Sequence, residues 1–228
     1  MTQEVWNEIA GSWYGFRHHT IFRTELSELA KRWQKGRLLN IGCGHGPDFL
    51  PFVQSGITSK SSELEQNNFE LYGIDFSVEM LRLAQKYAKK YSFSPYLALA
   101  DARRLPFCDE SFDWVIAVAG LHHIDTGEGR SAALTELKRV LKPGGEAFIT
   151  VWNHGQPRFR FKRSDTMVDW KQQGKIIKRY YHLFSYGELK EIARRAGLEI
   201  ISVAPEAGYH FPIKSFSRNI CLLVKKNK

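Results

Sequence analysis

The chain of 228 residues contains three cysteines, and their spacing matches no common cysteine motif. Cys43, Cys108 and Cys221 are scattered and odd in number, which argues against a disulfide framework. They form no C-x-x-C pair, so we expect no metal site in this chain. A reducing, cytoplasmic setting fits this use of cysteine best.

Long apolar runs are absent as well. The longest run, residues 115–121, is too short to cross a bilayer, so we expect no membrane contact. The first residues show no basic leader followed by an apolar core, so no secretory signal is predicted. With 43% hydrophobic and 25% charged residues, the chain is expected to fold as one soluble domain over residues 1–228.

The chain contains fewer acidic than basic residues. Its 24 Asp and Glu and 33 Lys and Arg residues give a net charge of +9. The excess is concentrated between Gln156 and His182, where basic residues outnumber acidic ones eight to two and aromatic residues are interleaved. Basic groups among stacking rings suit a flexible nucleic acid. A solvated basic loop is the alternative explanation of the same segment.

What the sequence does contain is a glycine-rich turn after an apolar strand. Residues 38–41 lead into Gly42, Gly44 and Gly46. Glycine adopts positive φ and has no Cβ, so a ligand can lie against bare backbone at such a turn. In an open α/β sheet, this place at the carboxyl end of a strand marks the ligand crevice. The dinucleotide fingerprint G-x-G-x-x-G is excluded, because its third glycine falls on Pro47.

Two acids follow at the ends of the next two predicted strands. A carboxylate at Asp75 can accept both hydroxyls of a ribose, and one at Asp101 can accept the exocyclic amine of an adenine. A glycine turn, a ribose acid and an adenine acid, in that order, resemble the S-adenosylmethionine site of the class I methyltransferases. The resemblance covers residues 37–153 and includes the segments 105–107, 111–116, 119–123 and 136–152.

This resemblance implies an α/β protein with the Rossmann-like class I methyltransferase fold, a mostly parallel seven-stranded sheet with helices on both faces and an antiparallel edge. It implies S-adenosyl-L-methionine as cofactor. The expected division is an N-terminal helical cap (1–36), a cofactor-binding core (37–153), a basic substrate-side insertion (154–184) and a C-terminal helix with edge strands (185–228). The residues expected to bind the cofactor are Gly42, Cys43, Gly44, Gly46, Asp75, Phe76, Asp101, Ala102 and Ala119.

Hydrophobic periodicity and capping residues predict the secondary structure. Helices are expected over residues 4–33, 46–55, 78–91, 130–141 and 186–196, with Ser77 and Ser185 as N-caps. Strands are expected near 38–42, 70–75, 96–100, 113–119, 146–152, 198–204 and 219–226. Residues 56–69 are polar and predicted to be a surface insertion. Residues 155–178 show no clear periodicity and are predicted to be loop or short helix.

The downstream sequence resembles a narrower group, the tRNA wobble-uridine carboxymethyl methyltransferases, which include the methyltransferase domain of AlkB-like tRNA enzymes. The run Lys-Arg-Tyr-Tyr-His-Leu-Phe at 178–184, with Gly-Glu-Leu at 187–189, is the more specific signal, and residues 117–123 and 151–152 add to it. Members of that group esterify the carboxylate of a 5-carboxymethyl uridine in the anticodon. The resemblance implies tRNA as a partner, and a small zinc-binding activator protein that covers an apolar sheet edge.

A carboxylate is ionised at neutral pH and needs no general base, but it needs a cation and hydrogen-bond donors for binding. Arg17 and Arg179 are the candidates for bidentate binding. The other candidate catalytic residues are His122, His123, Tyr180 and His182. Strand capping, core packing or surface ion pairing remain the alternative roles for these side chains.

Two other functions stay open. A small-molecule methyltransferase similar to enzymes of quinone biosynthesis would share the glycine turn and the L-x-P-G-G segment at 141–145. A cofactor-binding scaffold without catalysis is the second alternative, and the intact glycine turn and both acids argue against it.

Overall fold

A computed structural model of the chain describes residues 3–54, 69–159 and 161–228. Apart from Phe69, the insertion predicted at 56–69 lies outside the described residues. Seven strands form one sheet: β1 (Gly36–Ile41), β2 (Phe69–Asp75), β3 (Tyr96–Leu99), β4 (Phe112–Val118), β5 (Leu141–Trp152), β8 (Glu199–Pro205) and β9 (Asn219–Lys225). Two further strands, β6 (Asp165–Gln172) and β7 (Lys175–His182), form a separate hairpin.

The strand order of the large sheet is β3-β2-β1-β4-β5-β9-β8. The first five strands pair in parallel, and β9 runs antiparallel between β5 and β8. From β1 the chain adds β2 and β3 on one side of the sheet and then β4 and β5 on the other, so the strand order switches between β1 and β4. A ligand crevice is expected outside the carboxyl ends of the strands at such a switch point. The predicted fold, a mostly parallel sheet with antiparallel pairing at one side, is confirmed.

Six α-helices accompany the strands in the described residues: α1 (Gln3–Phe16), α2 (Arg23–Trp33), α3 (Leu50–Gln54), α4 (Val78–Lys90), α5 (Gly127–Val140) and α6 (Tyr186–Arg195). The helical region predicted at 4–33 is interrupted by a connection at residues 17–22. Both predicted caps are confirmed, because the Ser77 hydroxyl accepts the N–H of Met80 and the Ser185 hydroxyl accepts that of Glu188. No helix of the described residues is long and apolar enough to cross a membrane.

The two faces of the sheet bury separate hydrophobic clusters. Leu39 packs with residues of α5 and α6 on one face, whereas its neighbour Leu38 packs with residues of α2 on the other. This alternation follows from the two-residue period of a strand. The sheet is therefore covered on both faces, and its polar strand ends are left as the place for a ligand.

The hairpin corrects the prediction of loop or short helix for residues 155–178. Gln173 and Gly174 both have positive φ, 47° and 76°, as a two-residue type I′ turn requires. Alternate residues of the hairpin are buried, among them Val168 and Ile177, and Ile177 packs with residues of α1. Exposed Met167 and Ile176 and buried Arg179 break the alternation of apolar and polar residues that would predict these strands, and the Gln-Gly pair was the available signal.

Candidate active site

A cavity of about 210 Å³ lies at the carboxyl ends of β1, β2 and β4. Trp6 and Trp13 of α1 form part of its wall, together with Trp152 at the end of β5. Most of the residues predicted from the sequence line this cavity: Arg17, Gly42, Cys43, Gly44, Asp75, Phe76, Asp101, Ala102, Ala119, His122 and His123. Gly46, Arg179, Tyr180 and His182 are not in the wall.

The glycine turn after β1 gives the cavity a backbone wall. Gly42 and Gly44 have φ values of +70° and +54°, which side chains rarely tolerate. A Cβ at Gly42 would lie 3.6 Å from the Cα of Gly120, so the turns after β1 and β4 approach each other closely. Ala119 also has a positive φ of 54°, and its N–H donates to Thr150 of the neighbouring strand. Bare backbone at two adjacent strand ends fits a ligand that packs against the main chain.

Asp75 ends β2 and is buried against this turn. One carboxylate oxygen accepts the N–H of Gly44 at 2.8 Å and the other accepts the N–H of Ser77 at 2.9 Å. Burial raises the pKa of Asp75 to about 6, although these backbone hydrogen bonds oppose the shift. Each carboxylate oxygen keeps a second lone pair, so Asp75 can accept both hydroxyls of a ribose. The residues present therefore fit the nucleoside part of S-adenosylmethionine.

Asp101 lies on the more open side of the cavity. Burial acts to raise its pKa, but hydrogen bonds from Arg103 outweigh burial and hold the pKa below its ordinary value. The Arg103 guanidinium donates to Asp101 through Nε at 2.9 Å and Nη2 at 2.6 Å. Arg103 is not among the predicted site residues, although it lines the cavity and fixes the orientation of this carboxylate.

His122 and His123 follow β4 on a short 3₁₀ turn, Leu121–His123. Nδ1 of His122 lies 3.2 Å from the backbone nitrogen of Trp152, and Nδ1 of His123 lies 3.1 Å from the carbonyl oxygen of Tyr180. Burial lowers the pKa of His122 well below its ordinary value and that of His123 to about 3. Both rings are therefore neutral at physiological pH.

Four arginines lie close enough to Tyr181 for their charges to act on its hydroxyl, and one of them, Arg17, also lines the cavity: Arg17, Arg158, Arg179 and Arg218. Arg179 is 5% exposed, and its Cζ lies 5.3 Å from the ring centroid of Tyr181 and 4.9 Å from that of Trp170. Its Nε and Nη1 have no hydrogen-bond partner among the described residues. Within the same described residues none of the four arginines forms an ion pair. We call this group the arginine cluster.

Three residues that line the cavity near Arg17 were missed by the sequence analysis: Thr20, His45 and Asp48. Burial raises the pKa of Asp48 to about 6, while the Thr20 hydroxyl and the charge of Arg17 oppose the shift. Burial lowers the pKa of His45 to about 4. His45 and Asp48 lie within two residues of Gly46, the last glycine of the turn. This proximity in the sequence was the signal that could have predicted them as site residues.

Tyr180 and His182 lie outside the cavity wall and hold the hairpin in place. The Tyr180 hydroxyl donates to Asp165, and its oxygen also lies 3.1 Å from the carbonyl oxygen of Asp125. His182 lies between Asp165 at 2.8 Å and Glu188 of α6 at 2.6 Å. A direct role of these two side chains in catalysis stays a prediction. No cluster of three or more potential metal ligands occurs in the described residues.

Comparison with known proteins relates the central part of the chain to methyltransferases. The family described as "Methyltransferase domain" matches residues 39–149. A protein of Encephalitozoon cuniculi named as a methyltransferase is 29% identical over 197 residues, which cover 83% of this chain and 82% of that protein. The human protein named tRNA methyltransferase 9B is 34% identical over 125 residues, 54% of this chain and 25% of its own length. The demethylmenaquinone methyltransferase of Bacillus velezensis is 28% identical and covers 85% of this chain and 79% of that protein.

Among solved structures, the complex of the Haloferax volcanii Trm112 methyltransferase activator with a methyltransferase contains a similar chain. The TM-score is 0.68 at 16% identity, and the match covers 100% of this chain and 98% of the other. At this identity the likeness concerns the fold. The methyltransferase-domain match over residues 39–149, the methyltransferase relatives and the fold together support S-adenosylmethionine-dependent methyltransferase activity, with S-adenosyl-L-methionine as the cofactor. The scaffold alternative is thereby left without support.

Proposed function

We propose that this methyltransferase esterifies the carboxylate of a 5-carboxymethyl-type wobble uridine in tRNA. The arginine cluster carries the proposal. Arg179 is a buried guanidinium whose Nε–H and Nη1–H lack an acceptor in the described part of the chain, and it contacts Tyr181 on the cavity wall. A carboxylate can accept a charge-assisted hydrogen bond from either of these donors and neutralises the buried charge. A neutral substrate could accept these hydrogen bonds but would leave the buried positive charge without a counter-ion.

The chemistry asks little of the protein beyond binding and orientation. Bound S-adenosylmethionine supplies an activated methyl group. A substrate carboxylate is already ionised at neutral pH, so no residue has to remove a proton from it. Arg17 and Arg179 hold the carboxylate in place, and Trp6 and Trp13 of α1 help to exclude water from the cavity.

The hairpin provides a surface suited to an RNA phosphate backbone. Lys171, Lys175 and Lys178 are exposed on it, and its inner face packs on α1 above the cavity. Lysines on an exposed strand pair contribute sequence-independent affinity for phosphates. The name of the human relative supports tRNA as the substrate, although the match covers a quarter of that protein.

We further propose a small zinc-binding activator protein as a partner, bound at the β3 edge of the sheet. Tyr96 and Leu99 of β3 are 62% and 55% exposed. In the described residues β3 pairs on one side, with β2, so its outer edge offers unpaired backbone groups beside two large apolar side chains. Exposed edges of this kind are usually covered in native proteins. The similar chain that forms a complex with the Trm112 activator supports the same idea.

Mass spectrometry of tRNA nucleosides from cells with and without this protein tests the proposed function. Loss of the protein should remove a uridine methyl ester and accumulate its free acid. Purified protein should then transfer labelled methyl from S-adenosylmethionine to the acid-containing tRNA. An unchanged nucleoside profile, together with no transfer to that tRNA in the presence or absence of the activator, would refute the proposal.

A quinone-type small-molecule substrate is the second candidate. The match to the demethylmenaquinone enzyme, which spans most of both chains, favours it. The arginine cluster argues against it, because a neutral quinol ring contains no anionic group for Arg179. Transfer of labelled methyl to a lipid extract but not to tRNA would establish this alternative.

A further inference from the structure

The two adjacent histidines of the cavity wall carry their protons on opposite ring nitrogens. His122 Nδ1 lies 3.2 Å from the backbone nitrogen of Trp152. A backbone N–H can only donate, so Nδ1 of His122 must present its lone pair. A neutral imidazole has one N–H, and that proton is therefore on Nε2. His122 thus offers one hydrogen-bond donor to the cavity that it lines.

His123 has the opposite arrangement. Its Nδ1 lies 3.1 Å from the carbonyl oxygen of Tyr180, and a carbonyl can only accept. The proton of His123 is therefore on Nδ1, and Nε2 presents a lone pair. The ring centroids of the two histidines are 4.4 Å apart and both residues line the cavity, so one donor and one acceptor belong to neighbouring rings of its wall.

Neither ring can change its state easily. Both are neutral at physiological pH because they are buried, and the positive charges of Arg17 and Arg179 near His122 disfavour protonation further. Neither Nε2 atom has a hydrogen-bond partner in the residues that the structure describes. Their fixed polarity is thus available to a ligand of the cavity.

We propose that His122 and His123 select the substrate base, with the Nε2–H of His122 donating to O4 of the 5-substituted uracil and the Nε2 of His123 accepting its N3–H. This inference rests on the proposed function. In uracil, C4=O is attached to the carbon that carries the 5-substituent, and N3–H is the next group around the ring. The base can therefore meet both histidines while its carboxymethyl group reaches the arginine cluster.

The same pair rejects cytosine. A 5-carboxymethylcytosine would present its N4 amino group to the Nε2–H of His122, which sets donor against donor. It would present its N3 lone pair to the Nε2 lone pair of His123, which sets acceptor against acceptor. Two unsatisfied buried contacts correspond to a discrimination of about 30-fold or more. The histidines are thus specificity-determining residues, whereas the arginine cluster binds the reacting group.

Nitrogen-15 NMR of the histidine rings tests the assignment without any activity measurement. The spectra of cofactor-bound protein should show the Nε2–H tautomer for His122 and the Nδ1–H tautomer for His123. His122→Gln and His123→Gln variants identify the two sets of signals. Equal tautomers, or a charged ring at pH 7, would overturn the inference whatever the activity.

Three anticodon stem-loop RNAs test the base recognition, one with 5-carboxymethyluridine, one with its N3-methyl analogue and one with 5-carboxymethylcytidine. Wild-type protein should methylate the second at least about tenfold less efficiently than the first, because one hydrogen bond is lost and a methyl group is added. His123→Ala should methylate the two with similar efficiency, whereas His123→Gln, whose side-chain oxygen can accept N3–H, should restore the preference. His19→Ala, at an exposed histidine outside the cavity, is the matched control.

The outcomes separate the two proposals. A wild-type protein that methylates none of the three RNAs, with or without the activator protein, refutes the proposed function and the inference with it. A wild-type protein that methylates all three equally well, or a His123→Ala variant that keeps the wild-type preference, refutes the inference and leaves the proposed function in place.

Discussion

Replacing Arg179 with methionine should separate the activity of this protein from its stability. The guanidinium is 5% exposed and has no carboxylate partner in the described residues, so it is a desolvated charge. Replacing buried ionic groups with apolar chains of similar volume is often neutral or stabilising by about 1–4 kcal/mol. The cation–π contacts with Trp13, Trp170 and Tyr181 are lost in exchange, at about 0.5–2 kcal/mol each. The three contacts together are worth about 1.5–6 kcal/mol, so at mid-range values they slightly outweigh the gain, and we expect the free energy of unfolding to fall by about 1 kcal/mol.

The effect on catalysis should be much larger. Removing the buried charged partner of a carboxylate costs about 2–5 kcal/mol of binding, which corresponds to a loss of about 30-fold to several thousand-fold in kcat/KM. Initial rates of methyl transfer to RNA containing 5-carboxymethyluridine measure this loss, and denaturant unfolding measures stability. Affinity for S-adenosylmethionine should stay unchanged, since Arg179 is not in the cavity wall.

Two further variants sharpen the test. Arg179→Lys keeps the charge but lacks the planar fork of donors, so it should recover part of the activity. Arg195→Met is the control. Arg195 pairs with Glu191 and its side chain is 76% exposed, so this replacement should change neither kcat/KM nor the free energy of unfolding. The reasoning fails if Arg179→Met keeps kcat/KM within about threefold of wild type, or if its activity loss is matched by a loss of folded protein.

Three other predictions follow from the same structure. Burial raises the pKa of Asp48 from 3.8 to about 6, so between these two pH values the native protein binds a proton that the unfolded chain has released. The free energy of unfolding therefore falls as the pH rises from 4 to 6. Asp48→Asn should therefore raise the free energy of unfolding at pH 7 by up to about 3 kcal/mol, with the gain vanishing below pH 4, and an equal gain at both pH values in denaturant unfolding would contradict this. Leu99→Lys should weaken binding of the activator protein in a pull-down assay while the circular dichroism spectrum stays the same, and unchanged binding would exclude the β3 edge. Replacing Lys171, Lys175 and Lys178 with glutamine should reduce the slope of log affinity for tRNA against log salt by about 2–3, and an unchanged slope would exclude the hairpin as a phosphate-binding surface.

The cofactor half of the site could be predicted because its signals are local. A strand that runs into Gly42 and Gly44, and a strand that ends at Asp75 before the cap Ser77, each fit within a few residues. The substrate half depends on contacts that no short window contains. Trp170 Nε1 donates to the Ser12 hydroxyl at 2.9 Å across 158 residues of sequence, and this contact joins the hairpin to α1.

The position of Arg179 in β7 connects the predicted motif to the chemistry. Ile177, Arg179 and Tyr181 share the buried face of the strand, because alternate residues point the same way. Tyr181 lies on the cavity wall, and Arg179 is the next residue along that face, about 7 Å further by strand geometry. The Arg179 guanidinium packs against the Tyr181 ring, with Cζ 5.3 Å from the ring centroid, and it has two donors that lack a partner in the described residues. Leaving them unsatisfied costs about 1–3 kcal/mol, more for charged groups, so an anionic substituent is favoured over the neutral ring of a quinol.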